Sequence, residues 1–121
     1  MKGYIYILHF ESAFWHARHY VGATLDIRAR MAVHASGLGA RIVGAAKDRG
    51  VGFQLGGLGA CEAEEMFRLE RLVKDRKGGV SRLCEVCNPG TSRSIPGCVS
   101  VSITLVEGRQ VFFCGQEEDE E

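Results

Sequence analysis

The residues in this chain best suited to shared chemistry are its three tyrosines, which all fall in two tripeptides, Tyr4-Ile5-Tyr6 and Tyr20-Val21-Gly22. The run Gly3-Tyr-Ile-Tyr-Ile-Leu8 is aromatic and β-branched and reads as a strand. Alternation along it puts Tyr4 and Tyr6 on one face and Ile5 and Ile7 on the other. A third phenol arriving from a neighbouring strand would gather hydroxyls at one spot; the plain alternative is three half-buried sheet aromatics. A phenol at its ordinary pKa of about 10 is a poor base unless a cation or a relay assists it. Arg28, Arg30 and His34 follow the second tripeptide. Arg30 and His34, four apart, stack along one edge of a helix, while Arg28 points nearer its apolar arc, so periodicity does not choose between the two arginines.

Two further groups carry chemistry. Glu70 lies between Met66 and Phe67 on a helical wheel, on the side that should face the protein. A carboxylate turned inward needs a partner, either an arginine in an ion pair or a metal ion. Cys84 and Cys87 have zinc-knuckle spacing, and Cys98 and Cys114 flank a terminal hairpin from which they could complete a four-sulfur site for structural Zn²⁺. The other reading is reduced thiols, the default for five cysteines without a secretion signal. His9, His16, His19 and Trp15 belong to no motif, although His16, Arg18 and His19 could line a nucleic-acid groove or simply a solvated loop.

The elements that must position these groups form a small α+β pattern within 121 residues. A strand over about Gly3–Phe10 and another over about Arg18–Gly22 make a long-looped hairpin. Thr24 is the expected N-cap of a helix running to about Ala35, with Ile27, Met31, Ala32 and Ala35 as its apolar face. Gly39 to Arg49 reads as a glycine-rich, basic connection. Val51–Leu58 reads as a short strand weakened by its glycines. Glu62–Lys77 is helical, with Met66, Phe67, Leu69, Leu72 and Val73 as its core face. Cys98–Val106 and Gln110–Cys114 form a terminal hairpin.

Charge is balanced overall, but Glu117–Glu121 holds five of the fifteen acidic groups, so residues 1–116 carry a net charge of +5. A basic body of this kind suits a polyanionic partner, and the acidic tail reads as disordered. No stretch resembles a signal peptide or a membrane span, so a cytoplasmic or DNA-associated (nucleoid or nuclear), non-secreted protein is expected.

Taken together and in order, these residues resemble the GIY-YIG nuclease family, over roughly residues 2–89. Tyr4-Ile5-Tyr6 matches the first signature, with Tyr4 where the family name has glycine, and Tyr20-Val21-Gly22 matches the second. Arg30, ten residues after Tyr20, matches the first-helix arginine, with His34 four later. Gly37-Leu-Gly-Ala-Arg41 looks like the glycine-arginine segment of small stand-alone members, and Arg68-Leu-Glu-Arg-Leu-Val-Lys74 like the second helix with Glu70 at the metal position. Ala23 stands where members often carry lysine, threonine or serine.

The resemblance implies a three-stranded antiparallel sheet flanked by helices in a nuclease-like domain over residues 1–97, followed by the β-hairpin extension over 98–116 and the acidic tail over 117–121 that the residues themselves suggest. It implies a DNA endonuclease using one Mg²⁺ or Mn²⁺ ion at Glu70, with Tyr6 as general base or water-positioning group. Tyr20 would then orient water or phosphate, Arg30 grip a phosphate oxygen, and His34 assist protons. Arg41 and Lys74 would contact nucleic acid, flap and branched DNA included. Specificity would come from substrate geometry, dimerisation or a partner protein. The competing reading, favoured by Ala23 and small size, is a binding module of the same fold that holds nucleic acid or a protein without cutting.

Overall fold

The computed structural model of the protein describes residues 1–14, 17–76, 80–89, 95–101, 103–106 and 109–112. The strand β1 (Lys2–Phe14) is the centre of the fold, and Tyr4, Ile5, Tyr6, Ile7 and Leu8 all have no exposed surface. Burial on both faces explains why this segment is a continuous run of large side chains rather than an apolar-polar alternation. On one side it pairs antiparallel with β2 (Ala17–Thr24) in the register Tyr6↔Gly22, Leu8↔Tyr20 and His9↔His19. On the other it pairs antiparallel with β3 (Phe53–Glu62).

The sheet has four strands rather than three, in the order β2-β1-β3-β4. The short β4 (Val99–Ser100), from the segment expected to open the terminal hairpin, instead pairs with Gly59 and Ala60 of β3. Farther on, β5 (Ile103–Val106) and β6 (Arg109–Phe112) pair antiparallel as a separate two-stranded sheet. The acidic tail and Cys114 lie outside the described residues, as do Trp15 and His16.

Among the described residues three α-helices cover the sheet. The first, α1 (Ile27–Ser36), is capped by Asp26, whose Oδ1 accepts the Ala29 N–H at 3.1 Å, and not by Thr24. It ends at Gly37, whose φ of 83° is the left-handed conformation that glycine adopts without strain. A second helix, α2 (Arg41–Asp48), occupies the stretch expected to be an irregular connection. Its alanines favour a helix, and Val43 and Ala46 bury one stripe of it. With α1 it covers the face of Tyr4, Tyr6, Leu8 and Phe10. The third, α3 (Met66–Lys74), enters through a 3₁₀ turn at Ala63–Glu65 and packs on the opposite face, against Ile5, Ile7 and Val21.

The core face of α3 is narrower than the sequence suggests. Met66, Leu69 and Val73 are buried, but Phe67 and Leu72 are 68% and 51% exposed. The spacing of the buried three selects one stripe, and Phe67 and Leu72 fall beside it. The glycines of β3 do not end the strand. Between Ile7↔Gly57 and Leu8↔Leu55 the register shifts by one residue, which makes Gly56 a bulge. The extra residue turns Leu55 and Leu58, three apart in sequence, onto the same tyrosine-bearing face. Among the described residues no helix is long and apolar enough to cross a membrane.

Candidate functional site

The Tyr6 side chain leaves β1 on the face covered by α1 and crosses its ladder partner, Gly22 of β2. Any Cβ at Gly22 would overlap the Tyr6 hydroxyl and ring, so the glycine of the second tripeptide is what lets the phenol lie there. Its hydroxyl is 2.8 Å from His34 Nε2 and accepts from Arg30 Nε at 3.4 Å. The fixed ends of α1 put Ile27, Arg30, Met31 and His34 on the stripe facing the sheet. Ile27 and His34 are buried and Arg30 and Met31 half-buried, whereas Ala32 and Ala35, expected on the apolar face, are exposed. Arg28 is exposed too, so the structure selects Arg30.

Tyr20 completes the group from β2. Its ring lies 6.2 Å from that of Tyr6 and 5.6 Å from that of His34, and it lies close enough to Arg30 to add to the rise in that guanidinium's pKa. Residues 6, 20, 30 and 34 therefore meet in space. Tyr4 shares their face but stays within the core cluster.

Burial dominates the electrostatics. It pushes the Tyr6 phenol up to about 12 against the opposing pull of the Arg30 hydrogen bond. It also pulls His34 down to about 4, with the Arg30 charge adding to the effect. At neutral pH the pair is thus a neutral phenol beside a neutral imidazole. Arg30 donates to the Tyr6 oxygen, and in the tautomer with the imidazole proton on Nδ1 the phenol donates its own proton to His34 Nε2. His34 Nδ1 is buried and has no hydrogen-bond partner among the described residues. Arg30 is raised, chiefly by its bond to Tyr6, and remains a fixed cation.

Glu70 is half-buried on α3, under the sheet face opposite Tyr6. Its charge nevertheless reaches Tyr6 and raises it. Its ion pair is with Lys74 Nζ at 3.4 Å, one helical turn along, so the inward carboxylate of the wheel is partnered by a lysine of its own helix. Lys74 is thereby engaged with Glu70, and Arg41 is exposed at the first turn of α2.

A second cluster was not legible as a motif. His9, His19, Cys84 and Cys87 converge on the face opposite Tyr6, each offering one donor atom, all within 4.8 Å of one another. They could hold a metal ion. This corrects the four-sulfur set: Cys98, a free thiol, sits against the free thiol of Cys61 instead, where burial pushes it up to about 12, and Cys114 is outside the described residues. Cys98 goes there because Gly59, with no Cβ, lets its side chain close over β3. The available signal was strand alternation, since His9 and His19 sit ten residues apart on two strands of one hairpin.

An apolar cleft of about 440 Å³ lies between α1, α2 and the start of β3, lined by Met31, Lys47, Phe53 and Leu55 among others. None of Tyr6, Tyr20, Arg30, His34 and Glu70 borders it, so it is separate from the polar group. No protein-family model, curated protein or solved structure matches the chain.

Proposed function

We propose that the chain is a divalent-metal-dependent DNA endonuclease of the GIY-YIG kind. The observation that carries this reading is the Tyr6 hydroxyl gripped between the Arg30 guanidinium and the His34 imidazole, with Tyr20 beside it and the Glu70 charge within reach.

In this mechanism the attacking water gives a proton to the Tyr6 oxygen as Tyr6 passes its own proton to His34 Nε2. His34 is neutral at physiological pH and so has a lone pair to take it. The new hydroxide attacks phosphorus, and the bond from phosphorus to the leaving 3′-oxygen breaks. Arg30 and the Tyr20 hydroxyl hold the phosphate oxygens, the guanidinium offering a planar fork to a charge that grows in the transition state. The high pKa of Tyr6 keeps its proton in place until an anion and its counter-charges arrive. A lone half-buried carboxylate suits Mg²⁺ or Mn²⁺, which keeps several waters and needs few protein ligands. Held by Glu70, such an ion would supply positive charge for the leaving oxygen. Lys74 would have to swing away from the carboxylate to admit it, or stay as a phosphate contact.

The same Lys74 ion pair favours the second reading, a module that binds without cutting. One assay divides them: purified protein is incubated with flap, branched and linear DNA in Mg²⁺, Mn²⁺ or EDTA, alongside Glu70→Ala and Arg30→Ala. Metal-dependent products lost in both variants support the nuclease. Salt-sensitive binding without products supports the module and refutes catalysis.

A further inference from the structure

We propose that His9, His19, Cys84 and Cys87 form a tetrahedral His₂Cys₂ zinc site that clamps the Cys84–Cys87 loop onto the back of the β1–β2 hairpin. It is built from three separate segments. His9 and His19 are direct partners in the β1–β2 ladder and project from the same face of the sheet. The loop arrives after a 3₁₀ turn at Ser81–Leu83 and docks on β3 through the Glu85 N–H, which donates to the Gly56 carbonyl at 2.7 Å.

The bulge at Gly56 makes room for the ligand itself. A Cβ there would come within 2.5 Å of Cys84 Sγ, so glycine at the bulge lets the sulfur reach the histidines.

Four of the six donor-to-donor distances have the lengths of a tetrahedral coordination shell. Zinc-nitrogen bonds of about 2.05 Å and zinc-sulfur bonds of about 2.3 Å at the tetrahedral angle put two nitrogens about 3.3 Å apart, and nitrogen and sulfur about 3.6 Å apart. His9 Nδ1 lies 3.3 Å from His19 Nε2, 3.4 Å from Cys84 Sγ and 3.6 Å from Cys87 Sγ. Cys87 Sγ lies 3.3 Å from His19 Nε2. Hydrogen bonding does not account for this packing. His9 Nδ1 has either one proton or one lone pair, so it can satisfy one of its three heteroatom neighbours. A cation at the centre satisfies all four donors together.

The donor set selects the metal and the role. Two thiolates and two imidazoles in a tetrahedron suit Zn²⁺ rather than Mg²⁺ or Mn²⁺. Four protein ligands leave no open position for a substrate, so the ion is structural. His19 and Tyr20 are neighbours on β2 and therefore point to opposite faces. The zinc thus anchors from behind the edge strand that carries Tyr20 and Gly22 on its front.

The test reads metal, not cleavage, and is independent of the nuclease reading. We expect the intact protein to retain one zinc per chain through gel filtration. Cobalt exchanged for zinc should give a sulfur-to-cobalt charge-transfer band and the intense visible bands of a tetrahedral site. His19→Ala and Cys87→Ser should each lose the bound metal, whereas Cys98→Ser should keep it. Chelation of the unmutated protein should lower its melting temperature, with recovery on adding Zn²⁺ but not Mg²⁺. An intact protein that neither retains stoichiometric zinc nor shows the cobalt charge-transfer band overturns the proposal, as does metal loss in Cys98→Ser with retention in Cys87→Ser.

Discussion

His34 is a histidine without exposed surface, and it makes stability depend on pH in a calculable way. Its pKa falls from 6.5 in the unfolded chain to about 4 in the fold, because burial and the Arg30 charge both oppose the imidazolium. As pH drops, the unfolded chain takes up this proton first. The contribution of His34 is therefore fully present above about pH 6.5 and is lost as pH falls toward about 4. At about 1.4 kcal/mol per pKa unit, the loss between about pH 7 and about pH 5 is on the order of 2 kcal/mol. In a chain of 121 residues this corresponds to roughly 8 °C in melting temperature.

The variant that isolates the effect is His34→Gln, which keeps a polar group near the Tyr6 hydroxyl but cannot titrate. Urea unfolding of both proteins at the two pH values gives four stabilities. The gap between the proteins should shrink by about 2 kcal/mol on acidification, because only the natural chain loses the His34 contribution. Other titrating groups, His9 and His19 included, are common to both and cancel. A gap that stays constant from about pH 7 to about pH 5 would refute the burial argument for His34 and the neutral phenol-imidazole pair derived from it.

Gly22→Ala should destabilise the fold by about 1–3 kcal/mol, since the new methyl forces the Tyr6 ring aside, and circular-dichroism melts will check it. If the nuclease reading holds, DNA cleavage by that variant should fall further than the loss of folded protein explains. Glu70→Gln should cost less than about 1 kcal/mol, because its ion pair with Lys74 is partly exposed, yet it should abolish metal-dependent cleavage in a gel assay. Leu69→Ala should cost about 2–5 kcal/mol and Phe67→Ser no more than about 0.5 kcal/mol, because Leu69 is buried and Phe67 is not. Chemical denaturation of the two α3 variants side by side tests that assignment of the core face.

Much of the local structure was legible in the residues. The aromatic and β-branched run at Tyr4–Leu8 reads as a strand from sequence, and the structure shows it buried on both faces. Strand alternation and helical spacing, which are local properties, put Tyr6 on one strand face and Arg30 and His34 on one helix edge, but left Arg28 as an equal candidate; the grouping of Tyr6, Tyr20, Arg30 and His34 came from the family resemblance. α2 was missed because its glycine and basic residues mask a short alanine-rich helix whose stability comes from burying Val43 and Ala46. Val99 and Ser100 fall in a stretch that reads as strand, but their pairing with β3 rather than with the terminal hairpin was not legible, because two residues carry no signal of their partner.

What tertiary structure alone decided is which distant groups meet. Arg30 rather than Arg28 faces Tyr6, because the Asp26 cap sets the rotation of α1 against the sheet. Glu70 is partnered by Lys74, although its wheel position left the partner open. Cys98 turns to Cys61, and the place expected for it beside Cys84 and Cys87 goes to His9 and His19. No spacing rule could reveal that exchange. It depends on the β1–β2 register and on one bulged glycine, and both are settled by packing across the sheet rather than along the chain.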